Sequence, residues 1–169
     1  ALDFKRNNPS AKILVLERGV LPNGASTKNA GFACFGSPSE LLDDLKHNSE
    51  QEVFSLVAKR WEGLQRLRSL LGDKAIDFQN HGGMELFTED NSGLLVSCKE
   101  ALPYLNDQLK NIVGESVYTE IDNSFGFEKL SGVIKNNYEG QIDTGKMITA
   151  LLTSVRAQNI SILNNAHVT

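Results

Sequence analysis

The sequence predicts a mixed fold, between α/β and α+β, and three features of the chain lead to this prediction. A short apolar run at residues 13–16 is typical of a buried strand, and a similar run recurs at 160–163. Long stretches between them carry apolar residues at helical spacings of three and four, as over 53–71. Alternation of apolar and polar residues, as at 84–88, indicates antiparallel strands.

The composition excludes several classes of protein. Of the 169 residues, 40% are hydrophobic and 22% are charged, which is typical of a soluble globular chain long enough to bury a core. A net charge of −4 argues against a nucleic-acid partner, and no apolar run reaches membrane-spanning length. Cys34 and Cys98 lack metal-ligand spacing, so we predict no metal site and two buried thiols in a reducing, cytoplasmic compartment.

The first strand is followed by a candidate binding residue. Residues 1–6 predict the end of a helix, and the strand at 13–16 then stops on Glu17 and Gly19. In a dinucleotide-binding βαβ unit, the acid after the second strand accepts hydrogen bonds from ribose hydroxyls. Glu17 is placed to be that acid. For an isolated strand end, a solvated surface charge is the simpler interpretation. The choice between these two interpretations of Glu17 therefore depends on the residues that follow it.

Those residues are small and closely spaced. The letters GAST at 24–27 and NAG at 29–31 describe a backbone that can approach a ligand or another element closely. With VLERG at 15–19, this run resembles the FAD-dependent oxidoreductases of the D-amino acid oxidase and glycine oxidase type. The resemblance implies part of a Rossmann-like FAD-binding domain, joined to a substrate domain with an antiparallel sheet and helices.

The resemblance also implies FAD as the cofactor, bound by this segment. Glu17 would bind the adenosine ribose, and Arg18 would lie against the adenine or, alternatively, in solvent. The GAST residues would meet the pyrophosphate or the ribityl chain, and the NAG residues would lie near the flavin ring. The implied cofactor-binding residues are Glu17, Arg18, Gly24, Ala25, Ser26, Thr27, Asn29, Ala30 and Gly31.

The implied reaction is hydride transfer from a small amino acid, amine or hydroxy acid to the flavin. The sequence identifies no catalytic residue. A residue that grips the carboxylate of the substrate can be named by type only. The candidates are Tyr104, Tyr118, Tyr138 and Arg156.

One departure from the family pattern concerns the glycine-rich turn, which should lie about 20 residues before the acid. No glycine precedes Glu17. We therefore expect an internal portion of a larger protein, in which Val168-Thr169 opens a further strand. An alternative is a non-catalytic folded fragment that does not bind flavin by itself. A NAD-dependent enzyme is a third interpretation, but it does not explain the GAST and NAG segments.

Helix signals dominate the middle of the chain. Capping boxes at Ser37–Glu40 and Ser49–Glu52 predict one helix that ends near His47 and a longer one that ends at Gly72. A third helix begins at 90–92, must kink or restart at Pro103 and ends at Gly114. The predicted strands are an antiparallel hairpin of 75–79 with 84–88, followed by strands at 117–121, 133–138 and 141–143.

A second segment supports the resemblance. Residues 140–146 read GQIDTGK, and a helix capped by Asp143 or Thr144 follows them. This stretch is similar to the family's G-x-(I/V)-D-P-x-(K/R) sequence, in which proline is common where Thr144 stands here. The resemblance implies an FAD-binding part at 1–36, a substrate domain at 37–143 and a return to the FAD-binding domain at 144–169. Strand 160–163 would then join the same parallel sheet as 13–16.

Overall fold

The computed structural model describes residues 1–168 and has a mixed α/β fold with parallel and antiparallel sheets. The chain divides into two compact units. The first contains Ala1–Phe32, Arg68–Phe78 and the chain from Ile142 onward, and the second contains Ala33–Leu67 and Gln79–Gln141. No helix within residues 1–168 is both long and apolar enough to cross a membrane.

Six helices and seven strands are assigned in the described residues. The helices are α1 (Leu2–Asn7), α2 (Pro38–His47), α3 (Glu50–Leu71), α4 (Asp73–Ile76), α5 (Ser92–Val113) and α6 (Thr144–Ala157). The strands are β1 (Leu14–Leu16), β2 (Phe32–Ala33), β3 (Gly83–Thr88), β4 (Tyr118–Ile121), β5 (Leu130–Asn136), β6 (Gly140–Gln141) and β7 (Ser161–Leu163). Short 3-10 turns lie at Ala25–Thr27 and Glu89–Asn91.

The first unit contains a parallel pair of strands. β1 pairs with β7, with Leu14 opposite Ser161 and Leu16 opposite Leu163, so the prediction that both segments share one parallel sheet is confirmed. The expectation of a buried strand is wrong, because Leu14 is 57% exposed and Leu16 is 46% exposed. A two-stranded sheet has few neighbouring strands and helices to cover its faces.

A helical turn replaces the predicted strand at 75–79. Gly72, with φ of +83°, ends α3, and α4 follows at once. The guanidinium of Arg68 donates to the Asp73 carboxylate at 2.8 Å and lies 4.1 Å from the centre of the Phe78 ring. These contacts stabilise a compact turn, and they override the alternating pattern that predicted a strand. The predicted hairpin with 84–88 therefore does not form.

The second unit is built on an antiparallel sheet with the strand order β3–β5–β4. Asn136 of β5 lies between Gly83 of β3 and Tyr118 of β4. The strands predicted at 117–121 and 133–138 are thus present as β4 and β5, with shifted ends. The strand that follows them is only the two-residue β6, shorter than the return predicted at 141–143.

Local capping signals place the helices of the second unit correctly. Ser37 and Glu40 form the predicted capping box of α2, and Ser49 and Glu52 exchange the corresponding hydrogen bonds before α3. α5 runs through Pro103 without a restart, so of the two predicted outcomes, a kink or a restart, the restart is wrong. The shared core of these helices and the sheet consists of Phe35, Leu41, Val53, Val57, Phe87, Leu95, Cys98, Leu105, Leu109, Val117, Tyr118 and Ile134.

Two smaller predictions are resolved by the fold. Both cysteines are free thiols, but only Cys98 is buried, whereas Cys34 is exposed. The expectation of two buried thiols is therefore wrong for Cys34, because it alternates with the buried residues Ala33 and Phe35 along an extended segment. Of the further strand predicted at the C-terminus, Val168 has no regular structure and Thr169 lies outside the described residues.

Candidate functional site

Glu17 lies at the carboxyl end of the parallel strand pair. Its backbone N–H donates to Leu163 O at 2.9 Å, and its carbonyl accepts from Ala166 N at 2.9 Å, which extends the β1–β7 ladder past the strands. The Glu17 side chain is half-buried, and Oε1 accepts a hydrogen bond from Gly19 N at 2.6 Å. Ligands of open parallel sheets bind at this end of the strands. Arg18, the next residue, is exposed.

The segment 24–27 offers donors to a ligand. Ala25–Thr27 form a short 3-10 turn, in which Thr27 N donates to Gly24 O at 3.0 Å and Thr27 Oγ1 donates to the same oxygen at 2.8 Å. Within residues 1–168, the backbone N–H groups of Ala25 and Ser26 donate to no protein acceptor. Both residues are exposed, so these two groups are available to an anionic ligand.

Asn29 organises the chain around it. Its Nδ2 donates to Ser26 O at 3.0 Å, and its Oδ1 accepts from Gly31 N at 2.8 Å and from Thr144 Oγ1 at 3.1 Å. The side-chain amide is therefore occupied on both sides by protein groups. This arrangement makes Asn29 a residue that shapes the loop.

Gly31 joins the NAG segment to the return segment. Gly31 O accepts from Ile142 N at 2.8 Å, and the backbone of Gly31 has φ of +81°. A Cβ at this position would lie closer than 3.0 Å to Ile142 O. The glycine is therefore required by the close approach of two backbones. The structure thus brings together the NAG segment at 29–31 and part of the return segment, two of the runs that support the family resemblance.

The return segment is itself held by side chains. Asp143 caps α6, since its Oδ1 accepts from Lys146 N at 2.8 Å, and this settles which of the two candidate residues is the cap. Thr144 instead bonds to Asn29. The Asp143 N–H donates to Ile76 O at 2.9 Å, and Lys146 Nζ bonds to Asp77 at 2.6 Å. The hydrogen bond to Asp77 is the main cause of the raised pKa of Lys146.

The four residues that were candidates for binding a substrate carboxylate differ in their burial and in their hydrogen-bond partners. The Tyr118 hydroxyl is buried and donates to Gly36 O at 2.6 Å, and the Tyr138 hydroxyl donates to Glu115 at 2.6 Å. Tyr104 is half-buried and Arg156 is exposed in the last turn of α6. No group of three or more His, Cys, Asp or Glu side chains in residues 1–168 could hold a metal ion.

Sequence reasoning missed the buried Glu139. Its side chain accepts hydrogen bonds from the backbone N–H groups of Phe35 at 2.8 Å and Gly36 at 3.2 Å, within the second unit. In sequence, Glu139 and Gly140 lie between the predicted strands 133–138 and 141–143, where a tight turn is expected. Nothing local in the sequence marks this carboxylate as buried, because its partners lie about a hundred residues away in the chain.

Comparison with known proteins gives one family and a consistent fold. The family model for FAD-dependent oxidoreductases of the DAO family matches residues 1–169. A search of curated proteins finds no match. Among solved structures, the chain is similar to glycine oxidase from Geobacillus kaustophilus, with a TM-score of 0.62 and 18% identity over 95% of this chain. It is also similar to L-amino acid deaminase from Proteus vulgaris, with a TM-score of 0.61 and 14% identity over 97% of this chain.

A third similar structure is iminodiacetate oxidase from Chelativorans sp. BNC1, with a TM-score of 0.58 and 12% identity over 90% of this chain. The match covers 42% of the glycine oxidase chain, 36% of the deaminase chain and 46% of the iminodiacetate oxidase chain. The present chain therefore spans less than half the length of each of these proteins. At such identities the structures establish the shared fold, and the family model establishes membership. The chain belongs to the DAO family of FAD-dependent oxidoreductases.

Proposed function

We propose that the protein containing this chain oxidises a small amino acid, amine or hydroxy acid by hydride transfer to FAD. The observation that carries the proposal is the position of Glu17, a half-buried acid at the carboxyl end of a parallel strand pair. Membership of an FAD-dependent family supports FAD as the cofactor. The names of the three similar structures refer to amino-acid-like compounds, which supports the proposed class of substrate.

The chemistry of the donors and acceptors in the first unit fits FAD. The carboxylate of Glu17 suits a ribose hydroxyl pair, and Gly19 N already orients one of its oxygens at 2.6 Å. The free N–H groups of Ala25 and Ser26 suit a pyrophosphate. Residues 24–31 contain no acid and one base, Lys28, so the charge of this segment is also compatible with phosphate.

In this proposal the protein binds and orients, and the bound flavin accepts the hydride. Glu17 holds the adenosine ribose, and Arg18 lies beside the adenine. The backbone at 24–27 meets the pyrophosphate or ribityl chain. Asn29 acts on the ring environment indirectly, by fixing the loop in which Ala30 and Gly31 lie near the ring. The division into an FAD-binding part at 1–36 and 144–169 and a substrate domain at 37–143 is part of the same proposal.

The first test uses the purified full-length protein that contains this chain. We expect flavin absorption bands that survive desalting, and oxidation of at least one member of an amine, amino acid and hydroxy acid panel. A protein that stays colourless after incubation with FAD would contradict the proposal. That result would favour the alternative, a folded non-catalytic protein in which Glu17 is an ordinary strand-end acid.

A matched pair of variants tests the role of Glu17. Glu17→Gln removes the charge and one acceptor, and a hydrogen bond to a charged group is worth about 1.5–3 kcal/mol. We therefore expect the Kd for FAD to rise by about tenfold to a hundredfold. Glu128→Gln makes the same chemical change at an exposed loop residue of the second unit and should leave the Kd unchanged. Equal affinities for both variants would remove Glu17 from the site.

The isolated chain of 169 residues provides a further test. We propose that it binds FAD more weakly than the full-length protein does, because no glycine-rich turn precedes Glu17 in it to donate to the pyrophosphate. Titration of the chain with FAD, followed by flavin fluorescence, measures this difference. An equal Kd for the isolated chain and the full-length protein would show that the turn is not needed.

A further inference from the structure

The Glu139 carboxylate is hydrogen-bonded to backbone N–H groups and not to a basic side chain. It is 8% exposed, and Oε1 accepts from both Phe35 N and Gly36 N. The carbonyl of Glu139 also accepts from Gly82 N at 2.9 Å. Among the ion pairs of the described residues, none involves Glu139. A buried carboxylate in this position is expensive unless its hydrogen bonds are made, and here two backbone donors satisfy it.

Gly83 provides the space for this side chain. A Cβ at Gly83 would lie closer than 3.0 Å to Glu139 Oε2. Gly83 is not among the glycines with positive φ, so the backbone conformation itself would accept any residue. An alanine at this start of β3 would therefore require the Glu139 carboxylate to move from its place beside residue 83.

Two further glutamates hold the same stretch of backbone. Ser37 N donates to Glu40 at 3.0 Å, and Ser39 N donates to Glu85 at 3.3 Å. The backbone from Phe35 to Ser39 is therefore attached to three carboxylates. Burial raises the pKa of Glu139, and the charges of Glu40 and Glu85 raise it further, while the two backbone hydrogen bonds oppose this shift.

The stretch held by Glu139 continues directly from the NAG segment. At its beginning, Asn29 and Gly31 are bonded to Thr144 and Ile142 in the first unit. At its end, Phe35 and Gly36 are bonded to Glu139 in the second unit. The two ends of residues 29–36 are thus each hydrogen-bonded within their own unit.

We propose that Glu139 is a positioning residue, which fixes the C-terminal end of the flavin-side segment 29–36 by its hydrogen bonds to Phe35 and Gly36, and that the glycine at position 83 leaves room for its carboxylate. The inference rests on the proposed function, because that function places residues 29–31 near the flavin ring. Within residues 29–36, the Glu139 side chain hydrogen-bonds to the backbone of Phe35 and Gly36, which follow the residues proposed to lie near the ring.

The experiment compares Glu139→Ala, Glu139→Gln and Gly83→Ala in the full-length flavoprotein. Hydrogen exchange at the Phe35 and Gly36 amides and visible circular dichroism of the bound flavin are both measured. We expect Glu139→Ala to speed exchange at least tenfold and to change the flavin spectrum, since both donors lose their acceptor. Glu139→Gln retains an acceptor oxygen and should rescue both signals. Glu128→Ala, an exposed glutamate of the same unit, is the control.

A double-variant cycle tests the pairing with Gly83. Gly83→Ala should reproduce the effects of Glu139→Ala in the wild-type protein and add little in the Glu139→Ala background, where the obstructing carboxylate is gone. Equal effects of Gly83→Ala in both backgrounds would overturn the pairing. Faster exchange in Glu139→Ala with an unchanged flavin spectrum would overturn the positioning role and leave Glu139 a purely structural residue.

The outcome also separates this inference from the proposed function. A full-length protein that never binds flavin overturns both, and the exchange data then show only whether the Glu139 attachment exists. A flavoprotein in which Glu139→Ala changes neither signal retains the proposed function and overturns this inference.

Discussion

Substitution of Gly31 by alanine tests the junction of the two family segments. The residue has φ of +81°, and a Cβ would lie closer than 3.0 Å to Ile142 O. An L-residue in the left-handed region costs about 1–2 kcal/mol, and a steric conflict in a packed site costs about 1–3 kcal/mol more. Gly31→Ala should therefore lower the free energy of unfolding by about 2–5 kcal/mol.

Gly24→Ala is the matched control in the same segment. Gly24 has φ of −86°, and nothing lies within 4 Å of a Cβ built there. Its substitution should change the free energy of unfolding by no more than about 0.5 kcal/mol. If Gly24→Ala is stable but weakens FAD binding in the full-length protein, the glycine is required by the ligand and not by the protein.

Scanning calorimetry of the 169-residue chain measures both variants. For a chain of this size, 1 kcal/mol corresponds to about 2–4 °C in Tm, so Gly31→Ala should melt at least about 4 °C below the wild type. Gly24→Ala should melt within about 2 °C of it. A Gly31→Ala variant as stable as Gly24→Ala would refute the close approach of residues 31 and 142, and with it the junction described here.

Three further substitutions follow from the same contacts. Asn29→Ala removes the partners of Ser26, Gly31 and Thr144 and should cost about 1.5–3 kcal/mol in urea unfolding, whereas Asn29→Asp keeps both acceptor bonds and should cost less. Asp143→Ala removes the cap of α6 and should cost about 1 kcal/mol, which Asp143→Asn should largely restore; equal losses for both variants would contradict the cap. Burial raises the pKa of Glu139 in the folded state above its usual value of 4.5. The unfolded state therefore releases this proton at a lower pH than the folded state does, and the free energy of unfolding falls as the pH rises from the unfolded-state pKa through the folded-state pKa. Glu139→Gln should flatten that part of the Tm–pH curve, and an unchanged curve would show that Glu139 does not titrate in this way.

The features that were predictable depend on residues close together in the chain. Ser37 with Glu40, and Ser49 with Glu52, are three residues apart, so each capping box can be read from four consecutive letters. Asp143 was one of two candidates for the cap of α6 for the same reason. The family was also predictable, because VLERG, GAST, NAG and GQIDTGK are contiguous runs, and the family model confirms it.

The incorrect predictions depend on contacts that the local pattern does not contain. Residues 75–79 alternate like a strand, but the bond between Arg68 and Asp73 and the packing of Arg68 on Phe78 favour a helical turn. Without that strand, β3 pairs with β5, about fifty residues further along the chain. A restart of the helix at Pro103 was one of two predicted outcomes, but α5 continues through this exposed residue.

The sequence by itself determined the helix ends, the family and the segment in which a flavin site is proposed, because neighbouring residues or contiguous motifs carry that information. Only the tertiary structure showed that position 31 requires glycine, because the Ile142 carbonyl lies so close to it. It also showed that the Asn29 side chain hydrogen-bonds to its own loop and to Thr144. It also decided that Glu139 is buried and that Leu14 and Leu16 are exposed. Burial depends on which distant segments cover a residue, and that information is spread over contacts between segments far apart in the chain.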